Sequence, residues 1–349
     1  MLIGSGHAVR CLTLANVLRA RGAETCFIGN IELDYLAKRI VESGHLHIEL
    51  PASGDLLNTE VPYSDWLRRS RRSDAELCSA ALQDFNTDWL VVDHYALQAE
   101  WERQMAPVAK HVMVIDDLAD RPHECQLLLD QNFRREHNGR YAALVSSDCR
   151  LLLGPRFALL QPEYARLHRL ALPRVQVERI LVYFGGGDPD GQLTAKSLSA
   201  AQIAFPTSYV DVVYPYDLSE VWRRLEAIAA RTDKIILHRN LPSLAQLISS
   251  ADLAIGAAGA SSWERLCLGL PAVTAVCADN QNQVANEMQA AGLIIDLGPK
   301  DLLSEGAIES ALQAVKAKDL SKWSKDCLGL CDGQGAEIVA NVMYGQTDP

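Results

Sequence analysis

The sequence predicts an α/β fold built from two parallel-sheet domains. Apolar, β-rich runs alternate with helical patterns along almost the whole chain, and this order is typical of parallel sheets, whose strands are joined by crossover helices. Most of the runs are continuously apolar, as expected for strands that are covered on both faces. The length of 349 residues corresponds to about two domains.

Runs of apolar and β-branched residues mark the predicted strands. They cover residues 24–30, 88–95, 111–118, 126–132, 150–155, 179–186, 209–215, 234–239, 252–259, 271–277 and 293–298. Residues 167–178 lack strong periodicity and include Pro173, so they are predicted to form a linker. The expected domains are therefore residues 1–170 and 174–349, with the last helix able to pack back on the first domain.

Composition narrows the class of protein. Hydrophobic residues make up 48% and charged residues 22%, and the formal net charge of −11 argues against a nucleic-acid partner. The basic run Arg68–Arg72 is expected to be a solvated helix face, with an anion-binding patch as the alternative. The apolar runs are too short to span a bilayer and the start does not resemble a signal sequence, so we expect a cytoplasmic protein without membrane insertion.

The nine cysteines are scattered, and an odd number cannot all pair. Cys327 and Cys331 lack a second pair of ligands, so they are expected to be free thiols rather than part of a zinc site. No metal and no cofactor are expected.

Two segments that follow predicted strands in the second domain are suited to phosphate binding. Backbone N–H groups of small residues at the ends of parallel strands can approach phosphate oxygens, and a helix N-terminus attracts an anion. A tight turn is the alternative for the first segment. The first segment contains Gly185, Gly186, Gly187 and Asp188, and the second contains Ala258, Ser261 and Ser262.

Three further polar residues lie close to these segments. Glu264 falls in the first turn of the helix predicted after residue 259, where it would either support the helix dipole or accept the hydroxyls of a ribose, and the spacing leaves both roles open. Asn280 and Gln281 follow the next strand. Their amides could cap the following helix or bind sugar hydroxyls and acetamido groups.

The start of the chain poses a different question. The loop Gly4-Ser5-Gly6 and the following His7 have the composition of a strand-to-helix junction, yet only Met1, Leu2 and Ile3 precede them. We therefore expect a first-domain sheet whose neighbouring strands leave an opening where a first strand would lie.

These motifs together resemble a known group of enzymes. The glycine loop, the Ser-Ser-x-Glu helix and the Asn-Gln pair are similar to the nucleotide-sugar domain of the GT-B glycosyltransferases, such as the lipid II-forming N-acetylglucosaminyltransferase. IGSGHAVRCLTLA, VVDHY, VIDD, LLLDQN and YFGGGD also resemble, in order, the UDP-sugar hydrolase of pseudaminic acid biosynthesis, from Ile3 to about Gly292. Members of that family carry a first strand before the Gly-x-Gly-His motif, so an upstream start or a truncated chain is expected here.

The resemblance implies two Rossmann-like domains that face each other across a cleft. It implies that water displaces UDP from a UDP-linked diacetamido-trideoxy-altrose, with inversion at the anomeric carbon, in a protein expected to be a monomer. His7 matches the catalytic base of the family, and Tyr95 is the second expected catalytic residue; a helix cap is the alternative for His7. Further substrate contacts are expected from Gly6, Arg10, His94 and Asn132, and a surface salt bridge is the alternative for Arg10.

Three aspartates are expected to have structural roles, and two rival functions are compatible with the sequence. Asp93 is expected to orient a turn, and Asp116 and Asp117 are expected to be structural. A glycosyltransferase of the same fold, and a nucleotide-sugar-binding protein without catalysis, are the rival functions, because fold alone does not determine the reaction.

Overall fold

The computed structural model describes residues 5–31, 34–51, 67, 69–136, 139–239 and 241–346. It divides into two compact units. Unit 1 comprises Met1–Asn132, Glu136–Leu159 and Gly335–Pro349, and unit 2 comprises Phe133–Arg135 and Leu160–Gln334. The first unit therefore ends about ten residues before the predicted boundary at residue 170, and it includes the last helix of the chain.

Unit 1 contains two parallel sheets. One sheet pairs β1 with β2, and the other has the strand order β3-β4-β5-β6. The strands are β1 (Cys26–Ile28), β2 (Leu46–Ile48), β3 (Thr87–Val92), β4 (Ala109–Ile115), β5 (Leu127–Asp130) and β6 (Arg150–Leu153). The helices are α1 (Ser5–Ala20), α2 (Asp34–Glu42), α3 (Arg71–Leu82), α4 (Ala99–Met105) and α13 (Gly335–Met343).

The core of unit 1 explains why the C-terminal helix belongs to it. Leu14 and Val17 of α1 form one buried cluster with Met113 of β4 and with Val339 and other residues of α13. Removing these apolar side chains from water stabilises the unit by about 25 cal/mol per Å² of buried surface. The helix therefore completes the core of unit 1 although it follows unit 2 in sequence.

The predicted opening lies between β1 and β3. Within the described residues these strands are not paired with each other, because β1 belongs to the two-stranded sheet and β3 to the four-stranded one. A cavity of about 1280 Å³ is lined by residues of both strands, including Phe27, Ile28, Trp89 and Val91. The prediction that these neighbours would not close on each other is confirmed. Residues Met1–Gly4, on which it was based, lie outside the described residues.

Unit 2 contains one six-stranded parallel sheet with the order β12-β11-β10-β7-β8-β9. Its strands are β7 (Arg179–Tyr183), β8 (Tyr209–Val213), β9 (Ile235–His238), β10 (Leu253–Ala257), β11 (Ala272–Val276) and β12 (Ile294–Pro299). Its helices are α5 (Pro162–His168), α6 (Gln192–Ala204), α7 (Ser219–Ala229), α8 (Ala245–Ser250), α9 (Ser261–Cys267), α10 (Asn282–Ala290), α11 (Glu305–Val315) and α12 (Leu320–Leu328).

Every predicted strand overlaps an observed one, and the predicted parallel α/β class is confirmed. Strand β2 has no counterpart among the predicted runs, because its three residues are half-buried or exposed and carry no continuous apolar signal. None of the described helices is long and apolar enough to cross a membrane.

Candidate active site

A histidine at the start of α1 forms a short polar contact with an aspartate. His7 lies in the first turn of this helix, and its Nδ1 is 2.6 Å from Oδ1 of Asp93, the residue that follows β3. Because an ionised carboxylate can only accept hydrogen bonds, Nδ1 carries a proton, and in the neutral ring this leaves the lone pair on Nε2. Among the described residues nothing is hydrogen-bonded to Nε2, and the side chain is 15% exposed. The arrangement therefore presents the basic nitrogen of an imidazole.

Arg10 lies between two carboxylates. Its Nε and Nη2 donate to Asp93 at 2.7 and 2.6 Å, and its Nη1 and Nη2 donate to Asp117 at 3.0 and 2.9 Å. The side chain is only 7% exposed, so the alternative of a surface salt bridge is wrong. These bonds favour a counter-ion role for Arg10 over the predicted contact with a diphosphate.

The ion pairs fix the charge of both carboxyls. Burial alone raises the pKa of Asp93, but the charge of Arg10 and the hydrogen bonds from Arg10 and His7 outweigh it and hold that pKa well below its usual range. The pKa of Asp117 is likewise lowered, because Arg10 outweighs the effect of burial. Both groups are therefore ionised at neutral pH.

Asp117 also holds two residues that were predicted to act on the substrate. It accepts from the hydroxyl of Tyr95 at 2.7 Å and from Nδ2 of Asn132 at 2.9 Å. Burial, together with Asp117, raises the pKa of Tyr95, so the hydroxyl keeps its proton at neutral pH. The Tyr95 ring meets the His7 ring edge-to-face, with centroids 4.8 Å apart. Asp117 thus connects Tyr95, one of the two residues expected to be catalytic, with Asn132, which is expected to bind sugar.

The remaining predicted residues of unit 1 lie next to this network. Nδ1 of His94 accepts from the backbone N–H of Ala96 at 3.0 Å, and burial lowers the pKa of His94 to about 4. The ring is therefore neutral at pH 7 and its Nε2 carries a proton that it can donate. Gly6 precedes His7 in the first turn of α1.

Sheet topology explains why these residues meet. Asp93, Asp117 and Asn132 follow β3, β4 and β5, which are adjacent and parallel, so their carboxyl ends share one edge of the sheet. Asp116 turns away from this group and accepts from the backbone N–H of Ala119 at 2.7 Å, which fits the structural role expected for it. The sequence analysis assigns Asp93 to a turn and Asp117 to a structural role and does not predict their hydrogen bonds to His7, Arg10 and Tyr95. Their positions close after apolar strands were the signal that could have indicated a place in the site.

In unit 2 the two predicted phosphate-binding segments and the predicted sugar-binding segment with Asn280 and Gln281 also share one edge. They follow β7, β10 and β11, which are neighbours in the sheet. Gly185, Gly186 and Gly187 form a 3-10 turn, and Gly185 has a φ of +57°, which disfavours residues with a side chain. A Cβ placed on Gly187 would lie 2.6 Å from Cβ of Cys277, so the segments that follow β7 and β11 approach each other closely.

Several predicted ligands in unit 2 already have hydrogen-bond partners within the fold. Asp188 is 3% exposed and accepts from the backbone N–H groups of Leu193 and Thr194 at 3.0 and 2.8 Å, so the geometry assigns it to the start of α6 rather than to a ligand. The N–H of Ala258 donates to Ala275 within the sheet.

The predicted ligand side chains around α9 and α10 also have hydrogen-bond partners within the fold. Oγ of Ser261 and Oγ of Ser262 accept from the buried guanidinium of Arg265 at 3.3 and 2.9 Å. Oε1 of Gln281 accepts from the backbone N–H of Cys277 at 2.9 Å, which leaves its NH₂ group for a ligand, and Asn280 lies in the same 3-10 turn.

Glu264 occupies the first turn of α9 at intermediate exposure. Burial raises its pKa, while the Tyr164 hydroxyl and the charge of Arg265 act in the opposite direction. The two roles left open by the sequence, dipole support and ribose binding, remain open here. Within the described ranges no three His, Cys, Asp or Glu side chains are grouped as metal ligands, and Cys327 and Cys331 are free thiols.

The sequence matches no established family profile. Over 282 residues, or 78% of the chain, it is 23% identical to an uncharacterised protein of Methanocaldococcus jannaschii and spans 52% of that protein. Over 209 residues, or 58% of the chain, it is 27% identical to the spore coat polysaccharide biosynthesis protein SpsG of Bacillus subtilis and spans 61% of it. The chain thus spans about half to three-fifths of the curated relatives that it matches.

Solved structures resemble the whole chain at low identity. MurG of Acinetobacter baumannii matches with a TM-score of 0.64 and 11% identity over 98% of this chain and 97% of that chain. The spinosyn rhamnosyltransferase SpnG matches with a TM-score of 0.63 and 15% identity over 97% of each chain. UDP-GlcNAc 2-epimerase of Neisseria meningitidis, bound to UDP-GlcNAc, matches with a TM-score of 0.61 and 13% identity over the same shares. These similarities establish the GT-B type of α/β fold.

Proposed function

We propose that this chain is a nucleotide-sugar hydrolase that releases UDP from a UDP-linked diacetamido sugar. The observation that carries the proposal is the His7–Asp93 pair, in which Nδ1 is engaged and Nε2 is left as a base. The epimerase with bound UDP-GlcNAc and the polysaccharide biosynthesis protein SpsG support the substrate class.

In the proposed reaction, Nε2 of His7 takes a proton from water as the water oxygen attacks the anomeric carbon. The bond between that carbon and the phosphate oxygen breaks, and its electron pair leaves with UDP. The carboxylate of Asp93 stabilises the imidazolium that forms, at 2.6 Å from its Nδ1. Because the water enters opposite the leaving group, the product has the inverted configuration.

UDP is a good leaving group and needs no proton from an acid, in contrast to the alcohol released by ordinary glycosidases, which use a pair of carboxylates. One base in unit 1 is therefore sufficient for the chemistry. We assign the UDP moiety to the strand ends of unit 2, with the Gly185–Gly187 turn at the diphosphate.

A glycosyltransferase is the second candidate, because SpnG, a rhamnosyltransferase, shares the fold. In that case His7 would take the proton of an acceptor hydroxyl rather than that of water. Incubation of the protein with a panel of UDP-linked diacetamido sugars separates the two functions. Equal amounts of UDP and free sugar, released without an acceptor, support hydrolysis. UDP release that requires an added acceptor identifies a transferase, and UDP binding without turnover identifies a non-catalytic binding protein.

A further inference from the structure

A lysine that the sequence pattern did not single out lies beside the glycine turn of unit 2. Lys300 begins the 3-10 turn Lys300–Leu302 directly after β12, and its Nζ donates to the carbonyl oxygen of Gly187 at 3.3 Å. Since Gly187 follows β7 and approaches Cys277, which follows β11, this contact places the ammonium group at the edge of the sheet that carries the glycine turn.

A second observation places the same charge near the end of β11. Burial raises the pKa of the Cys277 thiol to about 11, and the charge of Lys300 opposes this rise. The charges of Asp188 and Asp301 add to it. Lys300 is half-buried, and no carboxylate within the described residues lies at ion-pair distance from its Nζ. The glycine turn is thus accompanied by a lysine that forms no ion pair with a carboxylate of the described residues.

The basic residue closest to the second predicted segment does not offer such a charge. Arg265 is 3% exposed and donates to the carbonyl of Ala257 and to both serine hydroxyls at the start of α9. Burial lowers the pKa of Arg265 to about 10. Its donors are used inside the fold, whereas Lys300 has one carbonyl partner and further N–H groups for a ligand.

We propose that Lys300 binds the diphosphate of the nucleotide sugar at the Gly185–Gly187 turn; this inference rests on the proposed function. The backbone N–H groups of a glycine turn supply dipoles but no net charge, while a departing diphosphate is strongly negative. A lysine ammonium supplies the missing point charge through short, charge-assisted hydrogen bonds. The bond to Gly187 holds one N–H, and the others donate to phosphate oxygens.

The test is to measure the affinities of UDP and uridine by calorimetry for the wild type and for Lys300→Ala, Lys300→Arg and Lys196→Ala. Lys196 is the matched control, because its Nζ donates to a neighbouring carbonyl, that of Leu303, at 2.9 Å. We expect Lys300→Ala to weaken UDP binding roughly 10- to 100-fold, the range for a hydrogen bond between charged groups, and to leave uridine binding unchanged. Lys300→Arg should recover part of the loss, and Lys196→Ala should bind UDP as the wild type does.

Unchanged UDP affinity in Lys300→Ala would overturn this assignment alone. An equal loss of UDP and uridine binding would also overturn it, since it would mean that Lys300 only maintains the local fold. A wild-type protein that binds neither compound would contradict the proposed function itself and the assignment of Lys300 with it.

Discussion

Nδ1 of His7 lies 2.6 Å from Oδ1 of Asp93, and the same carboxyl accepts two hydrogen bonds from Arg10. Asp93 therefore has two effects on the histidine. It fixes the tautomer that leaves Nε2 basic, and it supplies a negative charge next to the ring when the ring gains a proton. A helix cap, the alternative role for His7, would require neither effect.

Asp93→Asn keeps the size of the side chain and removes its charge. We expect kcat for UDP release to fall by roughly 10²-fold or more, a part of the 10²–10⁴-fold that a positioned base supplies, with little change in KM. Steady-state kinetics check this, with thermal unfolding measured alongside to separate a folding defect. Asp84→Asn, at an exposed position, is the control. A kcat equal to that of the wild type would show that Asp93 does not act through His7.

His7→Ala removes the base itself. Turnover should fall by roughly 10²–10⁴-fold while UDP affinity is retained, because the nucleotide is assigned to unit 2. NMR of the sugar released by the wild type should show the inverted anomer before it mutarotates. Near-wild-type turnover of the variant, or a product of retained configuration, would exclude a single displacement with His7 as base.

Arg10→Met would leave Asp93 and Asp117 without their shared counter-ion. Loss of one partner from a buried ion pair costs about 3–5 kcal/mol, so we expect a loss of this size in the free energy of unfolding at pH 7. Both carboxyls have a lowered pKa in the wild type, so the stability that they contribute is present above about pH 4 and is lost as the pH falls further. The gap between wild type and variant should therefore narrow on acidification.

Urea unfolding between pH 3 and 7 measures this gap. Arg72→Met is the control, because Arg72 pairs with Glu76 on an exposed helix face and should leave stability unchanged. Equal effects of the two substitutions would mean that the Arg10 network behaves like a surface ion pair.

The sequence predicted the positions of these residues better than their partners. Continuous apolar runs predicted the parallel strands, and polar residues directly after them predicted at which edge of each sheet the candidate site residues lie together. Arg10 was placed on the His7 face of its helix, three residues later, but its two carboxylate partners come from strand ends 83 and 107 residues away. Such long-range pairing leaves no local signal in the sequence.

The hydrogen-bond partners of Asp188 were also not predictable from the sequence. An aspartate after three glycines is suited to a ligand or to a helix start, and only the structure shows that its oxygens already accept from the first turn of α6. Composition and spacing identify residues that can do chemistry, whereas the folded chain decides which of them remain free for it.

Glu264→Gln separates the two roles that remain open for Glu264. Burial raises the pKa of this carboxyl, so its ionised form costs stability at pH 7, and this cost disappears below the unfolded pKa, at about pH 4, where both states are protonated. We therefore expect the variant to be more stable than the wild type at pH 7 and equally stable near pH 4. If Glu264 accepts the ribose hydroxyls, UDP affinity should fall roughly 10-fold or more.

Thermal unfolding at the two pH values and UDP calorimetry give both readouts. Glu305→Gln is the matched control, since Glu305 occupies the first turn of α11 and is exposed, so it can contribute only dipole support. The stability gain at pH 7 follows from the raised pKa in either role, so the UDP affinity decides between them. If Glu264 merely supports its helix, UDP affinity should be unchanged, as in the control. We expect weaker UDP binding by Glu264→Gln alone, because a carboxylate in the first turn after a strand assigned to the nucleotide can accept both ribose hydroxyls.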